Sequence, residues 1–164
     1  MNWEDHRWWA NKFGISSDVA EYVNMIVDLS EENCLPEEYK RDIEAAAAAI
    51  AENQAAKRGN SALSAVIAVD ALGHDAGRRK SSRGTVAADC TLRHLRQKGR
   101  SFVDAWYLHH HLDYLYEQRL TGDDLRVVLM RYKNEYPGAH SRQIEGFLLK
   151  QEETLASELG YPDA

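Results

Sequence analysis

The composition of this chain of 164 residues is ordinary for a folded protein, with 44% hydrophobic residues, 28% charged residues and a net charge of -6. Its length suits one domain, and its balance of residues argues against intrinsic disorder. The longest uncharged, apolar-leaning run, residues 61–69, is far shorter than the roughly 20 residues of a membrane-spanning helix, and the first residues lack the apolar core of a secretory signal. We therefore expect a soluble, cytoplasmic protein that does not associate with membranes.

The first two helices are predicted from a tryptophan-rich start and from the spacing of apolar residues. A short helix ends at Gly14, and the three tryptophans before that glycine predict that this segment docks on the core. Ser16 or Ser17 caps a second helix that extends to about Glu32.

The sequence next predicts two further helices and one loop rich in basic residues. Pro36, followed by acidic residues, begins a helix that extends to about Arg58. Residues 61–72 have the composition of a helix or a buried strand, and we predict a helix because the chain offers no convincing partner strands. Residues 74–84, HDAGRRKSSRG, have the composition of a loop rich in basic residues.

The second half of the chain predicts four more helices, over residues 85–98, 102–120, 121–135 and 141–160. Ser101 and Ser141 are predicted N-caps, and Thr121 with Asp124 resembles a capping box. The connections are short throughout. The sequence therefore predicts an all-α, single-domain bundle of seven or eight helices around a central helix, 102–120.

The basic residues are concentrated in the middle of the sequence. Residues 57–100 contain 10 Lys and Arg against 3 Asp and Glu, residues 1–56 contain 4 against 12, and residues 101–164 contain 6 against 11. The middle therefore carries +7 between segments of -8 and -5. Such a segment can attract phosphate groups or an acidic partner. Neutralisation by acidic segments of the same fold is the alternative.

The central helix carries the most informative polar residues of the chain. Apolar residues occupy most of its circumference, which predicts that other helices surround it. His109 and Asp113 lie four residues apart on its most apolar face and are therefore stacked one turn above the other. His110 lies on one flank of the wheel, and His111 lies on the opposite, more polar side.

Histidine and carboxylate side chains together suit zinc, iron or manganese, so the inward pair His109 and Asp113 predicts a divalent metal site. The alternative is a buried histidine whose hydrogen bonds are satisfied by the carboxylate and the backbone. We expect His94 to join the basic face of its helix with Arg93 and Arg96.

Residues 71–77, ALGHDAG, resemble the signature of HD-domain phosphohydrolases, helical enzymes in which an adjacent His-Asp pair binds divalent metal. The resemblance implies that His74 and Asp75 are metal ligands and that the metal activates water for attack on a phosphate ester. The further metal ligands that it implies have as candidates His109, His110 and Asp113. The basic residues that it implies as phosphate ligands are Arg78, Arg79, Lys80 and Arg83. The family also has a histidine on an earlier helix, where this chain offers only His6.

Two functions of different classes follow from these patterns. The first is a helical binding protein whose basic segment, residues 78–100, engages nucleic acid or an acidic protein partner. The alternative is a metal-dependent phosphohydrolase that acts on a nucleotide or another phosphate ester, with manganese, iron or zinc as its cofactor. Tryptophans near one end of the bundle leave oligomerisation open as well.

Overall fold

A computed structural model describes residues 1–28, 35–58 and 86–161, and in these three segments the chain forms α-helices and no strand. The helices are α1 (Trp3–Phe13), α2 (Ser17–Asp28), α3 (Glu37–Arg58), α4 (Val86–Lys98), α5 (Arg100–Gln118), α6 (Leu125–Glu135), α7 (Arg142–Lys150) and α8 (Glu152–Leu159), with a 3₁₀ turn at Pro137–Ala139. The prediction of an all-α bundle is confirmed. The predicted helix 61–72 and the predicted loop 74–84 lie outside the described residues.

Helix α5 is the centre of the bundle, as the sequence predicts. It packs against α1, α2, α4, α6 and α7. Every residue from Leu108 to Leu115 is buried, a run of more than two turns that only a helix with neighbours on all sides can have. Trp106 and Leu112 are fully buried in this core, and burying side chains of this size contributes about 1.5–3 kcal/mol each. No helix in the described segments is both long and apolar enough to span a bilayer.

Helix α1 docks on the bundle through one face. Trp9 is buried and its ring packs edge-on against Phe147 at a centroid distance of 6.1 Å. Gly14 ends the helix at a φ of 94°, a left-handed conformation that glycine adopts without strain. The predicted docking of this segment is confirmed for Trp9, whereas Trp8 remains exposed.

Two predicted helix starts are wrong. Helix α5 begins at Arg100, so Ser101 lies inside its first turn rather than at its cap. The side chain of Asp124 caps α6 by accepting the backbone N–H of Val127 at 2.8 Å. The hydroxyl of Thr121 instead donates to the carbonyl of Gln118 at the end of α5, so the predicted capping box does not form.

The last predicted helix is two helices. Ser141 caps α7 and Gly160 ends α8, as predicted, but the chain leaves helical geometry at Gln151. Neither glycine nor proline marks that position, so the local sequence carries no stop signal. Leu148 and Leu155 are both fully buried, which indicates that core packing on either side of Gln151 stabilises this break.

Candidate metal site

Helices α1 and α5 bring two histidines and a carboxylate together inside the bundle. His6 lies on α1, and His109 and Asp113 lie one turn apart on α5. All three side chains are buried, and each offers a ligand atom within 4.8 Å of the others. A group of this composition and spacing could hold a divalent metal ion.

Short distances join Asp113 to both histidines of this group. His6 Nε2 lies 2.9 Å from Asp113 Oδ1, and His109 Nε2 lies 3.1 Å from Asp113 Oδ2. Neither nitrogen has the directional geometry of a hydrogen bond with any described residue. Ligand atoms that each lie 2.0–2.2 Å from a metal are separated by about 3.0–3.5 Å. Separations of 2.9 and 3.1 Å are compatible with ligand atoms that share an ion, and they are also the distances of ion pairs between Asp113 and protonated imidazoles.

Residues of α2 orient the imidazole of His109 through contacts with its ring nitrogens. The Nδ1 atom of His109 lies 2.9 Å from Asn24 Oδ1, an acceptor, so Nδ1 carries the proton and donates it. In the neutral imidazole this leaves the lone pair on Nε2, which faces Asp113 and, at 3.2 Å, Asp28 Oδ1. The indole N–H of Trp3 donates to the other oxygen of Asp28. Three helices thus contribute to the cluster.

Asp113 and Asp28 place two negative charges beside His109 inside the bundle, and these charges favour a positive charge nearby. Burial lowers the pKa of the His109 imidazole, but Asp113 and Asp28 outweigh burial and raise this pKa to about 10. Burial raises the pKa of Asp113, but His109 and His6 hold it far below its usual range. The amino group of Met1 also lies 2.9 Å from Asp113 Oδ1. A proton on His109 and a divalent ion at its Nε2 are therefore alternative ways to neutralise the same carboxylates.

The pKa of His6 shifts in the opposite direction to that of His109. Burial lowers it first, and the charge of His109 lowers it further, against the attraction of Asp113. The rings of His6 and His109 lie only 4.0 Å apart, so two imidazolium ions would repel strongly there. His6 is therefore held as a neutral imidazole, the form that binds metal.

The predicted site residues have three different outcomes. His109 and Asp113 face inward and lie together, as predicted. His110 is also buried, but its ring packs edge-on against Trp106 at 4.3 Å and does not join the group. The remaining predicted metal and phosphate ligands lie outside the described residues, and these are His74, Asp75, Arg78, Arg79, Lys80 and Arg83.

The placement of two histidines was predicted wrongly. His111 was predicted to face solvent, but its side chain is buried, with 1% of the residue exposed. Its Nδ1–H donates to the carbonyl of Tyr107 at 2.7 Å. Its ring packs against Tyr132 of α6, which covers the side of α5 that a helical wheel treats as solvent. His94 is 3% exposed and lies between Tyr22 and Asp42, each 2.8 Å from one of its ring nitrogens.

The basic face of α4 is partly neutralised within the fold. Lys98 lies 2.5 Å from Glu38 of α3. Arg93 and Arg96 are exposed, and neither makes an ion pair within the described segments. Whether the whole basic segment is neutralised or free stays a prediction, since residues 59–85 lie outside the described part of the chain.

The sequence prediction missed His6, Asn24 and Asp28 as members of the cluster. Asn24 and Asp28 are four residues apart, the same spacing that identified His109 and Asp113, so a usable signal was present. His6 lacks such a partner on its own helix. Its placement depends on how α1 docks against α5, which a helical wheel of α1 does not contain.

Comparisons with known proteins give no further lead. No protein-family model matches the chain, and no curated protein and no solved structure matches it at a significant level.

Proposed function

We propose that this protein binds one divalent metal ion at His6, His109 and Asp113 and that it is a metal-dependent hydrolase. The observation that supports the proposal is the convergence of three buried ligand atoms within 4.8 Å of one another. Two histidines and one carboxylate suit zinc, iron and manganese. Three protein ligands also leave a coordination position open, as in catalytic sites, whereas structural zinc sites are closed by four.

The chemistry of such a centre supports hydrolysis. A bound divalent ion lowers the pKa of a coordinated water and offsets negative charge that develops on the substrate. In this cluster Asp28, 3.2 Å from His109 Nε2, is the carboxylate available to accept a proton or orient a water. The proposal of a phosphate-ester substrate is supported only by the resemblance of residues 71–77 to HD-domain phosphohydrolases.

Metal binding is tested by titrating chelator-treated protein with zinc, manganese or iron(II). We expect one ion per chain and a rise in Tm of about 3–6 °C at ten times the Kd, since a ligand at that excess stabilises by about 1.4 kcal/mol. The variant His6→Gln should lose the rise, because it removes a ligand atom. The matched control is His111→Gln, an equally buried histidine outside the cluster, which should retain it. A wild-type protein without stoichiometric ion uptake would overturn the proposal.

Hydrolysis is tested separately with p-nitrophenyl phosphate and the ion that binds most tightly. We expect turnover that requires the ion and that His6→Gln abolishes. Asp28→Asn should bind the ion yet lose most of the turnover, because it removes the proton acceptor and leaves the three ligands. Stoichiometric ion binding without turnover of this or any other phosphate ester would retain the metal site and reject the phosphohydrolase.

One observation favours nucleic-acid binding as a second candidate function. Arg93 and Arg96 are exposed one turn apart on α4, near the end of the basic segment, and neither pairs with an acidic group of the described residues. A labelled single-stranded oligonucleotide should bind more weakly as salt rises, and Arg93→Gln with Arg96→Gln should reduce the salt slope by about 1.4. Arg126→Gln, which removes a cation already paired with Glu152, is the control. Absence of binding at low salt would reject this candidate.

A further inference from the structure

An open groove of about 450 Å³ lies beside the metal cluster, between α1, the end of α5 and α8. Its volume falls within the range of small-molecule sites, about 300–1,000 Å³. Its aromatic and acidic lining residues are Glu4, Asp5, Trp8, Trp9, Tyr116 and Glu158.

The aromatic residues of the groove expose ring surface. Trp8 is 41% exposed and Tyr116 is 37% exposed, and both are among the most exposed large apolar side chains of the described residues. Cations of the chain already contact both rings. Lys12 Nζ lies 4.1 Å from the centre of the Trp8 ring, and Arg119 Cζ lies 3.7 Å from the centre of the Tyr116 ring. These two rings are therefore suited to cations, because their faces carry negative charge density.

The charged side chains that line the groove are all carboxylates, and the amino group of Met1, which also lines the groove, is already paired with Asp113 at 2.9 Å. Glu4, Asp5 and Glu158 form no ion pair with any described residue, and no lysine or arginine lines the groove. Three unpaired carboxylates around aromatic rings attract a cation and repel a phosphate group. The groove is therefore complementary to a positively charged organic molecule.

We propose that this groove binds a small organic ammonium ion, held between the rings of Trp8 and Tyr116 and the surrounding carboxylates. The groove and the metal cluster share helices α1 and α5, since Asp5 precedes His6 and Tyr116 follows Asp113 by one turn. Met1 lines the groove and its amino group lies 2.9 Å from Asp113 Oδ1, so this residue connects the groove to the cluster. Only the role of the ammonium ion as a substrate rests on the proposed metal-dependent hydrolase, whereas binding itself requires no metal.

Choline and 3,3-dimethyl-1-butanol test the proposal, because these two molecules have the same shape and differ in charge. Metal-free protein is titrated with each, followed by tryptophan fluorescence and calorimetry. We expect choline to bind at least about tenfold more tightly than the neutral alcohol, since the cation–π and carboxylate contacts act on the charge alone. Equal affinity for both molecules, or no binding of choline, would overturn the proposal. Absence of binding from a protein that light scattering shows to be a dimer would assign the groove to a second copy instead.

Variants of the groove separate charge recognition from simple apolar binding. Trp8→Leu and Tyr116→Leu should each weaken choline binding by about threefold or more, and Glu158→Gln should weaken it as well. Lys12→Met should strengthen binding, because it removes a competing cation from the Trp8 ring. The control Glu153→Gln changes an exposed carboxylate of α8 outside the groove lining and should have no effect. Unchanged affinity in both aromatic variants, or weaker binding in Lys12→Met, would contradict the proposal.

These titrations are independent of the metal titration. If choline does not bind, the proposal of metal binding at His6 and His109 is unaffected. Failure of ion uptake likewise leaves the groove as a ligand site and removes only its role in catalysis.

Discussion

Asp113→Asn should destabilise the metal-free protein by about 3–5 kcal/mol, because removal of one member of a buried charge cluster leaves its partners uncompensated. Asp113 is 7% exposed and contacts both His6 and His109. Asparagine keeps the shape of the side chain but removes the charge that holds His109 protonated. The free energy of unfolding from urea titrations at about pH 6 measures the effect.

The control for this substitution is Asp104→Asn on the same helix. Asp104 lies 3.4 Å from Arg100, whose side chain is 79% exposed, and such a pair contributes about 0–1 kcal/mol. We therefore expect Asp104→Asn to remain within about 1 kcal/mol of the wild type. Equal losses for the two variants would show that the buried cluster contributes no more than an ordinary surface pair.

The effect of Asp113→Asn should also depend on pH. Because the pKa of His109 is raised to about 10, its contribution is fully present below the unfolded pKa of about 6.5 and is lost as pH rises from there through 10. Because the pKa of Asp113 is lowered, its contribution is present above about pH 4 and is lost as pH falls below that value. The destabilisation by Asp113→Asn should therefore be largest between about pH 4 and 6.5 and smaller at pH 9.5.

The proposed metal would change the charge balance on which these predictions depend. A divalent ion bound at His109 Nε2 would replace the proton there and would connect α1 to α5 through His6. The wild type with metal should therefore lose less stability than the metal-free protein as pH rises from 6.5 to 9. If metal binds, Asp113 and Asp28 would therefore make the stability of the fold depend on the metal as well as on pH.

The fold was predictable where local patterns determine it. The apolar circumference of residues 102–120 predicted a surrounded helix. Gly14 predicted the end of one helix, and Pro36 predicted the start of another. The break at Gln151 was not predictable, because tertiary packing and not turn chemistry sets it. The start of α5 at Arg100 was missed because Ser101 is a good cap in isolation.

The site was predictable only within a single helix. His109 and Asp113 are one turn apart on α5, so their shared direction follows from helical geometry alone. His6 reaches them through the docking of α1, and His111 is buried because α6 covers it. The sequence of a helix does not show which of its polar residues a neighbouring helix will cover. A helical wheel therefore placed His111 on the wrong side, and it could not place His6 beside α5.

His111 should make the protein sensitive to acid. Its Nδ1–H donates to the carbonyl of Tyr107, and its Nε2 has no hydrogen-bond partner among the described residues. The groups that face it are the Tyr132 ring, His140 and His110, and none of these carries a negative charge that would stabilise an imidazolium. Burial and the neighbouring histidines therefore lower the pKa of His111 to about 3.

Because the pKa of His111 is lowered, the folded protein loses stability as the solution becomes acidic. The contribution of His111 to stability is fully present above the unfolded pKa of about 6.5, and it is lost at about 1.4 kcal/mol per pH unit as pH falls towards 3. The wild type should therefore lose about 2–3 kcal/mol more than His111→Gln between pH 6.5 and 4.5, measured by urea unfolding of metal-free protein. His140→Gln removes one of the two neighbouring histidines but leaves His111 buried, so this variant should retain most of the loss of the wild type. If His111→Gln loses as much stability as the wild type on acidification, the burial of a neutral His111 is not what makes the fold sensitive to acid. His6 and Asp113 are common to all three proteins, so their own titration cancels in the comparison.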